Sequence, residues 1–167
     1  GDFAYEISVT KDGYSSAQTY AIDPDENPNP LPPHSTVLAG QVTEISFSID
    51  RVSQFDVRSI TSLCGVVSSL PFNLKGDNTI GALPTILKYD EDFTTTSAGL
   101  RTISDLEWDD YTFTVSSANY DLAGTIPLLP VYLPPDTTQN FSLVLAPQAP
   151  RALLVVLRDS ATRHPLS

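Results

Sequence analysis

The chain has 167 residues, 41% of them apolar, and nine basic against 20 acidic residues give it a formal charge of -11. That balance repels phosphate backbones and anionic lipid heads, which excludes nucleic acid and direct membrane contact as partners on charge. The apolar share suffices for packed β-layers, no run of about 18 apolar residues marks a membrane span, and a single cysteine, Cys64, permits no disulfide within the chain.

From the start of the chain, Tyr5, Ile7 and Val9 alternate with Glu6, Ser8 and Thr10, the period of a strand with one buried face. A proline-rich loop, AIDPDENPNPLPP, separates this run from a second strand-like run, EISFSID, ending at Asp50. Residues 55–60, 70–75, 85–89, 93–96, 100–103, 111–116 and 141–145 then read as seven short strands, rich in β-branched and aromatic side chains. Lys75-Gly76-Asp77-Asn78 and Ser97-Ala98-Gly99 read as turns, and residues 152–157 as a final strand. No segment carries a sustained helical stripe, and the 14 prolines fall mostly between the apolar runs, at edges and connections.

One passage occurs twice. YEISVTKDGYSSA from Tyr5 returns as YTFTVSSANYDLA from Tyr111, with Tyr14 answered by Tyr120. Each copy leads into a proline-rich stretch and then a strand-like run, EISFSID in the first case and NFSLVLA in the second. The expectation is an all-β chain of tandem Ig-like or transthyretin-like β-sandwich modules. Residues 1–51 would be the C-terminal part of a first repeat and 52–146 a complete one. Residues 147–167 would supply the first strand of a following repeat, or a strand that completes the first by strand addition.

The stretch GLRTISDLEWDDYTFTVSSANY, from Gly99 to Tyr120, resembles carboxypeptidase-regulatory-like or transthyretin-like modules, as do the opening GDFAYEISVTKDGY and the closing ALLVVLRDSATRHPLS. The combination of YEISVTKDGYSSAQTY, VTEISFSID, FNLKGDNTIG, ILKYDEDFTTTSAG, LEWDDYTFTV and YDLAGTIPLLP is similar to the repeat region of bacterial surface proteins with a prepilin-type N-terminus, resembling minor pilins. The resemblance implies an extracellular, non-catalytic structural or display module at the bacterial cell surface. Its partners would be neighbouring repeats, pilus subunits or a surface ligand. A prepilin helix is not among these residues.

In the cluster LEWDDY, Trp108 could stack on a sugar face while Asp109 and Asp110 accept hydroxyl hydrogens; an indole at a strand entrance also serves to cover one end of a core. Adjacent carboxylates on a strand point to opposite faces, so this pair does not fit glycosidase work. If the module binds a glycan or protein as an adhesin would, Trp108, Tyr132 and Tyr20 are the expected contacts. Asp23, Asp25 and Glu26, with Asn27, form one group of oxygen ligands, and Asp90 and Asp92, with Glu91, form another, so either loop could contribute to a calcium site. Both also read as solvated loops. Lys11, Lys75 and Lys88 are the only lysines; an internal amide crosslink to asparagine or aspartate would need one of them held against its acceptor beside an acid, and Lys75 lies on a strand where such a bond could begin. Cys64 reads as a small buried hydrophobe, with a bridge to a cysteine outside the chain as the alternative. No phosphate loop, zinc quartet or nucleophile elbow is present, so no catalytic residue and no cofactor beyond calcium is expected.

Overall fold

Period-two burial builds two large sheets. The structure, a computed structural model, describes residues 4–148. In chain order its strands are β1 (Ala4–Tyr5), β2 (Ser8–Val9), β3 (Ala17–Gln18), β4 (Ser35–Thr36), β5 (Ser53–Thr61), β6 (Pro71–Gly76), β7 (Thr79–Gly81), β8 (Ile86–Leu87), β9 (Asp90–Thr94), β10 (Leu100–Leu106), β11 (Asp109–Val115), β12 (Tyr120–Ile126), β13 (Val131–Leu133) and β14 (Thr138–Pro147). No helix occurs among the described residues. One sheet has the order β10-β5-β14-β12, and the other β13-β11-β6-β9. Every pairing in them is antiparallel except one: β14 runs parallel to β5, in register from Thr138 opposite Gln54 to Leu145 opposite Thr61.

The inward faces of these sheets meet in a single core. Phe55 and Val57 of β5, Phe141, Leu143 and Leu145 of β14, and Ile103 and Leu106 of β10 pack with Phe72 and Leu74 of β6, Tyr111 and Phe113 of β11, and Val131 and Leu133 of β13. Phe113 and Phe141 stack across the sheets with ring centroids 4.0 Å apart, and Phe55 sits edge-on to both Tyr111 and Phe113. Each fully buried aromatic ring contributes about 2–3 kcal/mol through removal of apolar surface from water, and the paired rings add about 1 kcal/mol per contact.

The core also contains polar groups, and these are satisfied. The Ser59 hydroxyl donates to the Val67 carbonyl and lies 3.0 Å from the Thr95 hydroxyl, which accepts the Leu70 N–H. Gly99 turns the chain beside this cluster at a φ of +70°, and a Cβ there would meet the Val66 side chain at 2.9 Å and the Ser59 carbonyl at 3.0 Å. Glycine is required at that turn on both counts.

Most of the seven expected strands are present, with shifted bounds. Residues 85–89 yield only the two-residue β8, and the acidic run expected in a loop at Asp90 and Asp92 is the ladder strand β9. Two strands of the large sheets, β12 and β13, were not expected; β13 lies within the proline-rich PLLPVYLPP segment. Residues 41–50 form no strand, although Ile45, Phe47 and Ile49 keep the alternation as half-buried side chains. The run from Tyr5 is split into the two-residue β1 and β2, which pair only with the two-residue β4 and β3. Its sequence counterpart β11 has β13 and β6 on its two sides and a facing sheet, so Tyr111 is fully buried where Tyr5 is 51% exposed. The two passages share a pattern of residues but not a set of partners. The strand expected at 152–157, and with it the proposed pairing to the leading half, lies outside the described residues.

Cys64 is exposed, in contrast to the expected buried hydrophobe. It occupies a tight turn at a φ of +62°, with its N–H bonded to the Thr61 carbonyl, and the turn points its side chain outward.

Candidate functional site

Residues 4–51 are tied to the sandwich through the β7–β8 hairpin. The loop expected to be solvated docks there: the Leu31 N–H and the Asn27 side-chain amide both donate to the Ile80 carbonyl, the Asn29 amide donates to Leu83, and the Ala82 N–H donates to Asn29. Where this loop meets the sheet entrance it leaves a groove of about 330 Å³ whose walls include Tyr20, Pro32, Phe47, Asn78, Lys88 and Trp108.

The groove floor is a charged network. Glu107, whose side chain is 14% exposed, accepts hydrogen bonds from the Lys88 ammonium and, at 3.2 Å, from the Asn78 amide. Lys88 also donates to the Ser16 carbonyl at 2.9 Å, which joins the leading segment to the sandwich. The Asn78 amide makes a further contact with the Trp108 carbonyl. Behind them Asp109 is buried and accepts the backbone N–H groups of Asn78 and Asp110 at 3.0 and 2.8 Å. Its carboxylate fills the space beside Gly76 that any side chain at that position would need. Burial pushes the Asp109 carboxyl above the ordinary range, outweighing the N–H groups that favour its charge. The Tyr20 phenol is raised as well, by burial first and then by the Glu107 charge.

Of the three expected contacts, Tyr20 and Trp108 share the groove. Trp108 remains 41% exposed. Tyr132 stands on β13 opposite Asp110, half-exposed, and does not line the groove. Asp109 and Asp110 do point to opposite faces, one buried and one exposed.

Part of each oxygen-ligand group is already engaged within the chain, through Asp23 in the first and Asp90 and Asp92 in the second. The Asp23 carboxylate accepts the N–H groups of Asp25 and Glu26, which hold its carboxyl below the usual range, the Glu26 bond having the larger effect. On β9, Asp90 and Asp92 both accept from the Asn73 amide, and Asp90 pairs with Lys75 at 2.9 Å. The Asn73 hydrogen bond, then the Lys75 hydrogen bond, lowers the Asp90 carboxyl. Among the described residues no three His, Cys, Asp or Glu side chains gather as a metal site.

Sequence reading named Trp108 and Tyr20 but not the polar floor between them. Glu107 is the second residue of the conspicuous LEWDDY run and Asn78 closes the KGDN turn, so both were visible as residues, but their meeting depends on the register of β6 with β11. No protein-family model, curated protein or solved structure matches this chain. The functional reading therefore rests on its own residues.

Proposed function

We infer that the chain is a non-catalytic structural module of an extracellular bacterial surface or pilus-associated protein, built to hold other segments at a distance and to withstand tension along its length. One observation carries this reading: β5 and β14, the first and last strands of the two-sheet body, are parallel neighbours at the centre of one sheet. The chain consequently enters this body at one end and leaves at the other, about 25 Å away at about 3.3 Å per paired residue. Tension between those points loads the β5–β14 hydrogen bonds in shear, so they resist together rather than opening one at a time.

The acidic composition and the resemblance of Gly99 to Tyr120 to transthyretin-like modules support the same reading. Within it, residues 52–146 are one Ig-like or transthyretin-like unit, residues 1–51 carry the end of a preceding unit, and 147–167 begin the next. The partners are neighbouring units of the same kind.

Stretching single molecules tests the proposal. With Cys64→Ser to remove the exposed thiol, handles at Arg51→Cys and Gln148→Cys load the parallel pair in shear. Handles at Arg51→Cys and Asp136→Cys pull from one end of it, because Arg51 and Asp136 lie side by side, 3.6 Å apart. The expected result is one abrupt unfolding step at a force several-fold higher in the first geometry. Equal forces in the two geometries would overturn the tension-bearing role.

A second reading, a glycan- or protein-binding module, is favoured by the meeting of Tyr20 and Trp108 in one groove. It expects Trp108 fluorescence to change on titration with an oligosaccharide panel and the change to vanish in Tyr20→Ala. A flat response across the panel would count against glycan recognition.

A further inference from the structure

We propose that Lys88 and Asn78 are joined by an intramolecular amide bond whose formation is promoted by Glu107. The backbone brings the two residues together, since the Lys88 N–H donates to the Asn78 carbonyl at 2.7 Å. Their side chains then converge on one carboxylate: Oε2 of Glu107 accepts from Lys88 Nζ, and Oε1 accepts from Asn78 Nδ2 at 3.2 Å. An amine, a carboxamide and an acid in contact with both are the groups that amide exchange requires.

The steps balance without any external reagent. A proton passes from the Lys88 ammonium to Glu107 along the hydrogen bond they share, leaving a neutral amine and a neutral acid. The Nζ lone pair attacks Cγ of Asn78, and the acid polarises the carboxamide and returns the proton to the departing nitrogen. The Nζ–Cγ bond forms and the Cγ–Nδ2 bond breaks; the departing nitrogen takes one proton from Glu107 and a second from Nζ, which is left as an amide N–H, and it leaves as ammonium while Glu107 is again a carboxylate. The surroundings help: the Lys88 and Glu107 side chains are 28% and 14% exposed, and the Ser16 carbonyl of the leading segment fixes Nζ from the other side.

The molecule contains its own control. Lys75, Asp90 and Asn73 repeat the same three groups in contact on β6 and β9, but with the Lys75 and Asp90 side chains 45% and 42% exposed. Solvent at this more exposed ion pair keeps it charged, so Lys75 stays a free amine. The bond between Asn78 and Lys88 would close the β7–β8 hairpin, the element on which the leading segment docks, into a covalent ring.

Intact-mass measurement of the purified chain, followed by tryptic mapping, tests the assignment. The expected chain is lighter than its sequence by one ammonia. Trypsin cuts after Lys75 but not after Lys88, so the peptide from Gly76 runs on to Arg101 and carries the deficit. Glu107→Gln, which keeps hydrogen-bonding capacity at the site, and Lys88→Arg each restore the full mass, with thermal unfolding showing that the variants are folded. A wild-type chain of full mass overturns the proposal. So does an ammonia deficit with normal cleavage after Lys88, which would mark a cyclic imide at an asparagine instead. Loss of ammonia that persists in Glu107→Gln removes the role given to that acid.

Discussion

Tyr111 and Tyr89 show what burial does to single residues in this core. The Tyr111 ring is fully buried, its hydroxyl donates to the Glu107 carbonyl, and desolvation, followed by the charges of Asp109 and Glu107, raises its phenol far above the ordinary 10.0. Tyr89, edge-on to it at 6.0 Å, is pushed up to about 12, mainly by desolvation and then by Glu91. Both folded values exceed the unfolded one, so in the alkaline range the unfolded chain gives up these protons first. Stability from the pair is complete below the unfolded value of 10.0 and falls as pH rises above it. In an alkaline titration followed by tyrosinate absorbance, two tyrosines should ionise only as the circular dichroism of the fold is lost. Ionisation of all seven tyrosines with the fold intact would contradict this. Residue chemistry of this kind was partly legible in the sequence: alternation marked Tyr111 as inward, and adjacency placed Asp109 and Asp110 on opposite faces. The exposure of Cys64 was not legible, because a left-handed turn residue decides it and that position is held by the cysteine itself rather than by the adjacent Gly65.

At the scale of elements, short contacts at turns hold strands in register. The Gly99 turn joins β9 to β10 while the Ser59 hydroxyl of β5 lies against its carbonyl and the 65–67 segment covers it. Gly99→Ala must take a positive φ with a side chain and also displace Val66 and two backbone carbonyls, at a cost of about 2–4 kcal/mol. Urea unfolding should show a midpoint loss of that size, against less than about 0.5 kcal/mol for Gly124→Ala, whose Cβ would meet nothing within 4 Å. Equal effects would mean that the turn is looser than described. The strands that alternate strictly, β5, β6 and β11, were readable because local pattern and buried face coincide. β12 and β13 were not, since Gly124 and the flanking prolines obscure the pattern and the ladder partners are distant in sequence. Glu44 to Asp50 erred in the opposite direction: it has the alternation, but no neighbouring strand pairs with it.

For the whole molecule, the separation between body and appendage is set by where apolar surface is buried. Every residue of the hydrophobic core, and every partly buried hydrophobe packed on it, comes from positions 55–145. Residues 4–51 attach through hydrogen bonds and the Lys88 contact instead, each worth about 1 kcal/mol net. All-β architecture was legible from composition and period. The repeat made residues 1–51 the C-terminal part of a β-sandwich; the strands among residues 4–51 are two residues long, because an alternating sequence becomes a sheet only where neighbours pair with it. If residues 52–146 are the unit, the rest of the account follows from their autonomy, including entry and exit at opposite ends and tension borne by β5 and β14. The most direct measurement compares thermal unfolding of residues 52–148 alone with that of the full chain. The expected result is a single cooperative transition for the shorter chain, within a few degrees of the full-length midpoint. A shorter chain that fails to fold, or that melts far below the full chain, would show that residues 1–51 belong to the body and would contradict the account.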